Sequence, residues 1–305
     1  MSLEKCLADL SDEDKRLAYS RLGDLSDLSP EELELFLEAW AKIGVARRRQ
    51  IMGKLLELAE EDPQLNFDDI FRACLHDPDE IVRVKAIDGL WECENRSLIT
   101  PLITLLREDD EESVRAAAAM ALGKFALLAE LGKLRPEDGQ RVQEALLSAI
   151  DDQTEQPEVR RRAIEAIAPL TLPRVKDIIC QAYTSDDAKM RASALYAMGR
   201  NCDPIWLPTL VKELGSQDAE VRFEAAVACG ALGDEQAVPH LVRLISDVDS
   251  QVQLSAIAAI GQIGGSEAQE ALRGCLEHPD EHMRQMAKEA LDEANFEPEP
   301  PLFQI

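Results

Sequence analysis

An arginine that returns at near-constant spacing constrains this chain more than any other feature. It stands at Arg83, Arg115, Arg160, Arg191, Arg222 and Arg284, with Gln253 in the one copy that lacks it, at separations of 32, 45, 31, 31, 31 and 31 residues. Self-similarity at such a period is the mark of stacked supersecondary units, none of which can bury its apolar face alone.

The residues around the anchor say what the unit is. An alanine follows three residues later every time, at Ala86, Ala118, Ala163, Ala194, Ala225, Ala256 and Ala287. A small residue stands at +6 (Gly89, Ala121, Ala166, Ala197, Ala228, Ala259, Ala290) and valine or methionine at −1. Positions −1, +3, +6 and +7 trace one helix face. Alanine there lets a second helix approach closely. A partner helix precedes the anchor helix, as in residues 203–215 (DPIWLPTLVKELG) and 235–246 (EQAVPHLVRLIS). The unit is a helical hairpin.

Composition agrees, with 46% apolar and only 4% aromatic residues, which suits helix packing better than a strand-rich core. A repeat array has one continuous core and no size ceiling, so the chain reads as a single solenoid domain. Net charge is −26, from 59 acidic against 33 basic side chains. That field repels phosphate backbones and anionic membranes; nucleic-acid binding would need a segregated basic patch. The seven cysteines form no CxxC pair, and several fall in helical apolar rows; they read as reduced core thiols of a cytoplasmic protein. The amino terminus lacks a secretion-type apolar run, and no segment is long and apolar enough to span a bilayer.

Residues 1–64 lack the signature and read as a divergent helical cap, with helices over Leu3–Leu10, Asp12–Leu22, Ser29–Ala41 and Ala46–Glu60. Ser29 is the expected N-cap and Pro30 the first helical residue. The array covers 65–294: hairpins at 66–75 with 80–91 and 98–106 with 112–125, then four more from about Pro173 to Asn295. Pro101, Pro208 and Pro239 share a position 14 residues before the anchor, where proline is expected to bend the first helix. The long interval between Arg115 and Arg160 holds an insertion at about 127–139, either a helix extension or a protruding loop. Residues 295–305 (FEPEPPLFQI after Asn295) form an acidic, proline-rich tail whose LFQI end either docks on a groove or is plain tail.

The pattern D-x-x-V-R-x-x-A-x-x-A-[apolar]-G is plainest in DAEVRFEAAVACG (218–230) and DDAKMRASALYAMG (186–199). It resembles the HEAT repeats, and within them the short HEAT-like repeats named after phycobilisome lyases, an armadillo-like helical family. The resemblance implies an all-α, right-handed α-α superhelix, a HEAT-like solenoid of about seven regular hairpins plus the divergent cap. Proteins with such repeats include bilin lyases and isomerases, DNA-repair glycosylases of a related helical-repeat type, and scaffolds.

The acids four residues before the anchor (Asp79, Glu111, Asp187, Asp218, Asp249, Asp280) are placed to cap the second helix. With Arg83, Arg115, Arg160, Arg191, Arg222 and Arg284 they are expected to form a structural ladder between repeats; the competing reading is an arginine row for an anionic ligand. Positions +1 and +5 point away from the packed face and would line the concave surface. There Met120, Tyr196, Phe223, Val227 and Leu254 make an oddly apolar strip, with Arg161, Arg162 and Arg200 nearby. Such a strip either binds a partner or is covered by curvature or by the 127–139 insertion. Trp91 takes the glycine position of its repeat beside those rows, open to either ligand stacking or packing.

No catalytic set is visible. His278 and His282 are spaced i, i+4 but lack a third ligand in sequence, so no metal site is expected. There is no glycine-rich phosphate loop, GxSxG or HExxH, and the adjacent carboxylates lie at turns, where they cap helices. The expectation is a monomeric, non-enzymatic cytoplasmic scaffold that holds a protein partner, a peptide or helix, in its groove. It needs no cofactor, nucleic acid, membrane or small-molecule ligand. The alternative is an enzyme resembling the bilin lyases, with a tetrapyrrole near Tyr196, Arg161 and Arg162; a DNA-repair protein is disfavoured because the concave rows are poor in lysine and arginine.

Overall fold

The computed structural model describes residues 3–11 and 19–294. Among these the chain is all-α, with helices α1 to α17 and no strand, stacked as helical hairpins. The chain falls into two compact units, residues 1–166 and 167–305.

The first unit holds α1 (Leu3–Ser11), α2 (Pro30–Trp40), α3 (Val45–Glu61), α4 (Asp68–Cys74), α5 (Glu80–Gly89), α6 (Ile99–Glu108), α7 (Glu112–Glu130), α8 (Pro136–Asp151) and α9 (Pro157–Ile167). Of the helix expected over Asp12–Leu22, the described end is a 3-10 turn, Tyr19–Leu25, whose Leu22 and Leu25 are fully buried. The start of α2 is as the sequence indicates. Ser29 and Glu32 exchange bonds as a capping box, the Glu32 N–H donating to Ser29 Oγ at 3.3 Å and the Ser29 N–H to Glu32 Oε2 at 2.9 Å, with Pro30 in the first turn. The 127–139 segment is mostly helix extension: α7 runs on to Glu130 and α8 begins at Pro136. The turn between them uses Gly132 at φ 68°, a conformation open to glycine without strain.

The second unit holds α10 (Pro173–Tyr183), α11 (Ala188–Asn201), α12 (Leu207–Glu213), α13 (Ala219–Leu232), α14 (Val238–Leu244), α15 (Ser250–Ile263), α16 (Gly265–Cys275) and α17 (Glu281–Ala294). These are four hairpins. The tail, with LFQI, lies outside the described residues.

The small residues serve a contact the sequence does not identify. The anchor alanines at +3 are fully buried. The closest approaches, however, join the second helices of consecutive hairpins rather than the two helices of one. A Cβ added at Gly199 would lie 2.7 Å from Ala228 Cα, at Gly230 2.9 Å from Ala259 Cα, at Gly261 2.7 Å from Ala290 Cβ, and at Gly123 3.0 Å from Ala166 Cα. Glycine at +8 of one repeat thus beds on the +6 alanine of the next, and side-by-side stacking of α11, α13, α15 and α17 sets that requirement.

The prolines stand at the starts of the first helices. Pro208 and Pro239 are the second residues of α12 and α14, each entered from a 3-10 turn capped by Asp203 or Asp234; Pro101 is the third residue of α6. In the first turn the missing N–H forfeits no intrahelical bond. They mark the change from 3-10 to α.

The turn before each second helix explains the arginine. The side chain six residues before the anchor accepts the N–H of the residue four before it: Asp77 from Asp79 at 2.9 Å, Ser216 from Asp218 at 3.3 Å, Asp247 from Asp249 at 2.9 Å, His278 Nδ1 from Asp280 at 3.2 Å. The acid at −4 then caps its own helix, as Asp79, Asp187, Asp218 and Asp249 do. The guanidinium folds back to donate to the carbonyl at −6, 2.8 Å for Arg83, Arg115, Arg191 and Arg284 and 2.9 Å for Arg222. Gln253 keeps this one bond. Arg160, after an irregular turn, donates instead to Ile150 O at 3.2 Å.

The ladder therefore differs from the expected one. The anchor arginine reaches an acid in the turn of the next repeat: Arg83 to Asp109, Arg115 to Glu155 and Arg222 to Asp247, each at 2.8 Å. For Arg191 the corresponding position holds Ser216 rather than an acid, and the arginine acts on Glu213 of the next repeat from further off. A cap-to-arginine pair does occur between Asp79 and Arg49 of α3, at 2.6 Å, with an arginine outside the anchor row.

Candidate functional site

In the first unit, α5, α7 and α9 enclose a cavity of about 600 Å³. It exists because α5 stops early. Glycine at +8 continues the helix in other repeats, but α5 ends at Gly89, where a Cβ would lie 2.5 Å from the Phe71 ring. Trp91 falls just beyond the helix end, its N–H donating to Asp88 O at 3.1 Å, and its side chain swings out to line the cavity.

Lys124, on α7, holds that end in place, its Nζ donating to Leu90 O and Trp91 O, both at 2.9 Å. These carbonyls lie just past the helix end, outside its regular ladder, and Leu90 O also takes the Cys93 N–H at 3.0 Å. Burial pulls the Lys124 ammonium below the ordinary lysine value, while Cys93, Glu94, Asp68 and Glu92 act the other way.

The floor is apolar, made by Ile87, Ala116, Ala117 and Ala121, and Met120 and Trp91 form walls. Met120 is 41% and Trp91 67% exposed. The other two tryptophans are buried and bonded: Trp40 donates to Asp77 Oδ2 at 2.7 Å and Trp206 to Asn201 Oδ1 at 2.9 Å. Trp91 is the one tryptophan that faces solvent.

Two of the arginines that the sequence places near the strip are already engaged. On α9, Arg161 pairs with Glu158 and Glu165 at 2.7 and 3.1 Å, and Arg162 pairs with the same two acids at 2.9 Å each. Arg162 and Glu158 form part of the cavity wall as a mutually neutralised pair. Asp88, the remaining charge on the wall, has no cation within ion-pair distance among the described residues; Lys85 acts on it from further off.

The remaining strip residues lie in the second unit and are less open than expected. Tyr196 on α11, Phe223 and Val227 on α13 and Leu254 on α15 are all partly covered, and Arg200 is exposed. Close stacking of the second helices shades the +1 and +5 rows. The insertion does not cover the cavity in the first unit, since none of residues 127–139 lines it. The sequence flagged Met120, Arg162 and Trp91 and places Asp88 in the same +5 row as Met120, but missed Lys124; the available clue was the missing glycine at Trp91, beyond a helix end whose carbonyls a lysine can take.

Other chemistry is sparse. Among the described residues no group of three histidine, cysteine or acidic side chains is arranged to hold a metal, and no helix is long and apolar enough to cross a membrane. Cys6, Cys74, Cys229 and Cys275 are buried, as expected of core thiols, whereas Cys180 and Cys202 are exposed. Burial pushes the Cys74 and Cys229 thiols up to about 12.

A family model described as HEAT repeats matches residues 69–135, 177–257 and 243–299. No curated protein matches the sequence. Among solved structures the chain is similar to the complex of CpcE and CpcF of phycocyanin lyase from Nostoc sp. PCC7120, with 17% identity and TM-score 0.54, over 93% of this chain and 97% of that one. It is also similar to YibA of Escherichia coli (18% identity, TM-score 0.46, 77% of this chain and 96% of that one). A third similarity is to the karyopherin Kap121p bound to the SUMO protease Ulp1p (16% identity, TM-score 0.48, 96% of this chain and 37% of that one). At these identities the likeness is one of fold.

Proposed function

Because the chain belongs to the HEAT repeat proteins, whose repeats are a frame on which sites are grafted, we propose that it is a non-catalytic scaffold holding a protein partner. The partner binds at the cavity between α5, α7 and α9. One observation carries this reading: Trp91 and Met120 stand exposed around an apolar floor. A cavity of this size with an aromatic wall is the usual setting of an interface anchor. The polar groups present support binding rather than reaction. Lys124 is held by two carbonyls and Arg162 by two carboxylates, so neither is poised as a nucleophile or base. Net charge of −26 favours a protein partner over nucleic acid or an anionic membrane. The likeness to the phycocyanin lyase complex is one of fold and transfers no chemistry to this chain.

The test is capture from the source organism's lysate with wild type and Met120→Glu, compared by mass spectrometry. Met120 is exposed, so the variant should keep its helical circular dichroism and lose a defined protein. Equal capture by both excludes the cavity as the binding surface. Phe223→Glu and Leu254→Glu, at partly covered positions, should act through stability instead.

A further inference from the structure

The cavity wall carries a charge with no partner. Asp88 projects from the last full turn of α5, and no cation among the described residues lies within ion-pair distance of it. Although the side chain reaches solvent, the surrounding helices raise its carboxyl above the ordinary carboxylate value by desolvation, offset in part by Lys85. Three residues on, Trp91 presents an exposed ring to the same cavity. The cations already there are committed, Lys124 to the Leu90 and Trp91 carbonyls and Arg162 to Glu158 and Glu165. Glu92, Glu94 and Asp68 lie close enough to act on Lys124 and leave the surroundings negative. A carboxylate without a partner and an open indole ring in one recess are complementary to a single kind of side chain, a cation on an apolar stem.

We infer that the partner's anchor is a lysine or arginine flanked by apolar residues. Its stem lies along Met120 and the alanine floor, and its charged head is shared between the Trp91 ring and the Asp88 carboxylate. This rests on the scaffold reading and adds what the cavity selects. The indole supplies a face for the cation, the carboxylate supplies the opposite charge, and the acidic rim steers a basic segment inward.

A random-sequence peptide library panned on the immobilised full chain tests both layers. Selected peptides are titrated against the protein while the emission of Trp91 is followed, with Trp91→Phe confirming the source of the signal. Peptides that bind the cavity are those whose affinity falls with Met120→Glu. The inference expects these to be enriched in lysine or arginine next to an apolar residue. Replacing that cation by glutamine, or Asp88 by asparagine, should weaken binding about five-fold, and Trp91→Ala about ten-fold. Asp88→Lys should reverse the preference toward acidic peptides. Cavity-directed peptides without basic enrichment, or indifferent to Asp88→Asn, overturn the cation assignment and leave the scaffold reading standing. A library that yields no Met120-sensitive binder overturns both.

Discussion

At the scale of single residues, what recurs is a turn with its own wiring: an acceptor at −6, a cap at −4, and an arginine that ties the −6 carbonyl and, where an acid is on offer, the next repeat. The pieces should separate by substitution. Arg222→Ala removes a turn bond and strands Asp247, both little exposed, and should cost about 2–3 kcal/mol. Arg191→Ala removes carbonyl bonds and a longer-range attraction to Glu213 but strands no ion-paired acid, and should cost about 1 kcal/mol. Urea midpoints of the two variants would show the difference. The bonds from Arg222, first among the causes, hold the Asp247 carboxyl below its ordinary range. A folded-state pKa below the unfolded one means the contribution is present above about pH 4 and is lost as pH falls through the depressed value. Asp247→Asn should therefore flatten the acid limb of stability against pH. Cys202 offers the opposite kind of test. It holds the left-handed position at the end of α11, φ 53°, which Gly233 takes at the end of α13. Cys202→Gly should stabilise by about 0.5–1 kcal/mol, read by thermal or urea unfolding.

Elements meet through small residues, and here the same substitution should change sign with place. Gly230→Ala drives a methyl into Ala259 and Gln262 and should cost about 1–3 kcal/mol by forcing α13 from α15. Gly274→Ala, with nothing within 4 Å, should gain a few tenths to about 1 kcal/mol near the end of α16. Comparing the two urea midpoints checks the pair. The sequence carried much of this. Periodic alanines and the Ser29–Pro30 start located helices closely because they are local signals, set by spacing and by capping. It paired the small residues with the wrong neighbour because a face pattern says that a helix is approached, not which helix approaches. The site was legible only in pieces for the same reason. Trp91 and Met120 stood out as odd residues in a repeat, whereas Lys124 became meaningful only once α5 was seen to end early and leave two carbonyls facing it.

Over the whole molecule the largest single quantity is charge. A net −26 favours expansion by self-repulsion, so raising sodium chloride should raise the urea midpoint as screening shortens the range. Association with a cationic partner should slow over the same range in stopped flow. Stability in a repeat protein is otherwise close to a sum over joints, and the joints here are unequal. In the second unit the α13 repeat is pinned to the α15 repeat by Arg222 and Asp247. The joint before it is held from the first helix instead, by Lys176 paired with Asp203 and Tyr183 donating to Glu213 at 2.6 Å, whereas in the joint after it Gln253 ends on its own turn. Stretched between anchored ends in an optical trap, this unit should not tear evenly. It should shed α16 and α17 first, at the joint where Gln253 replaces the arginine, and yield α10 to α15 later. Gln253→Arg together with His278→Asp would supply the missing pair at that joint and move the breaking point. The break in the arginine row at Gln253 thus marks where this unit gives way under load.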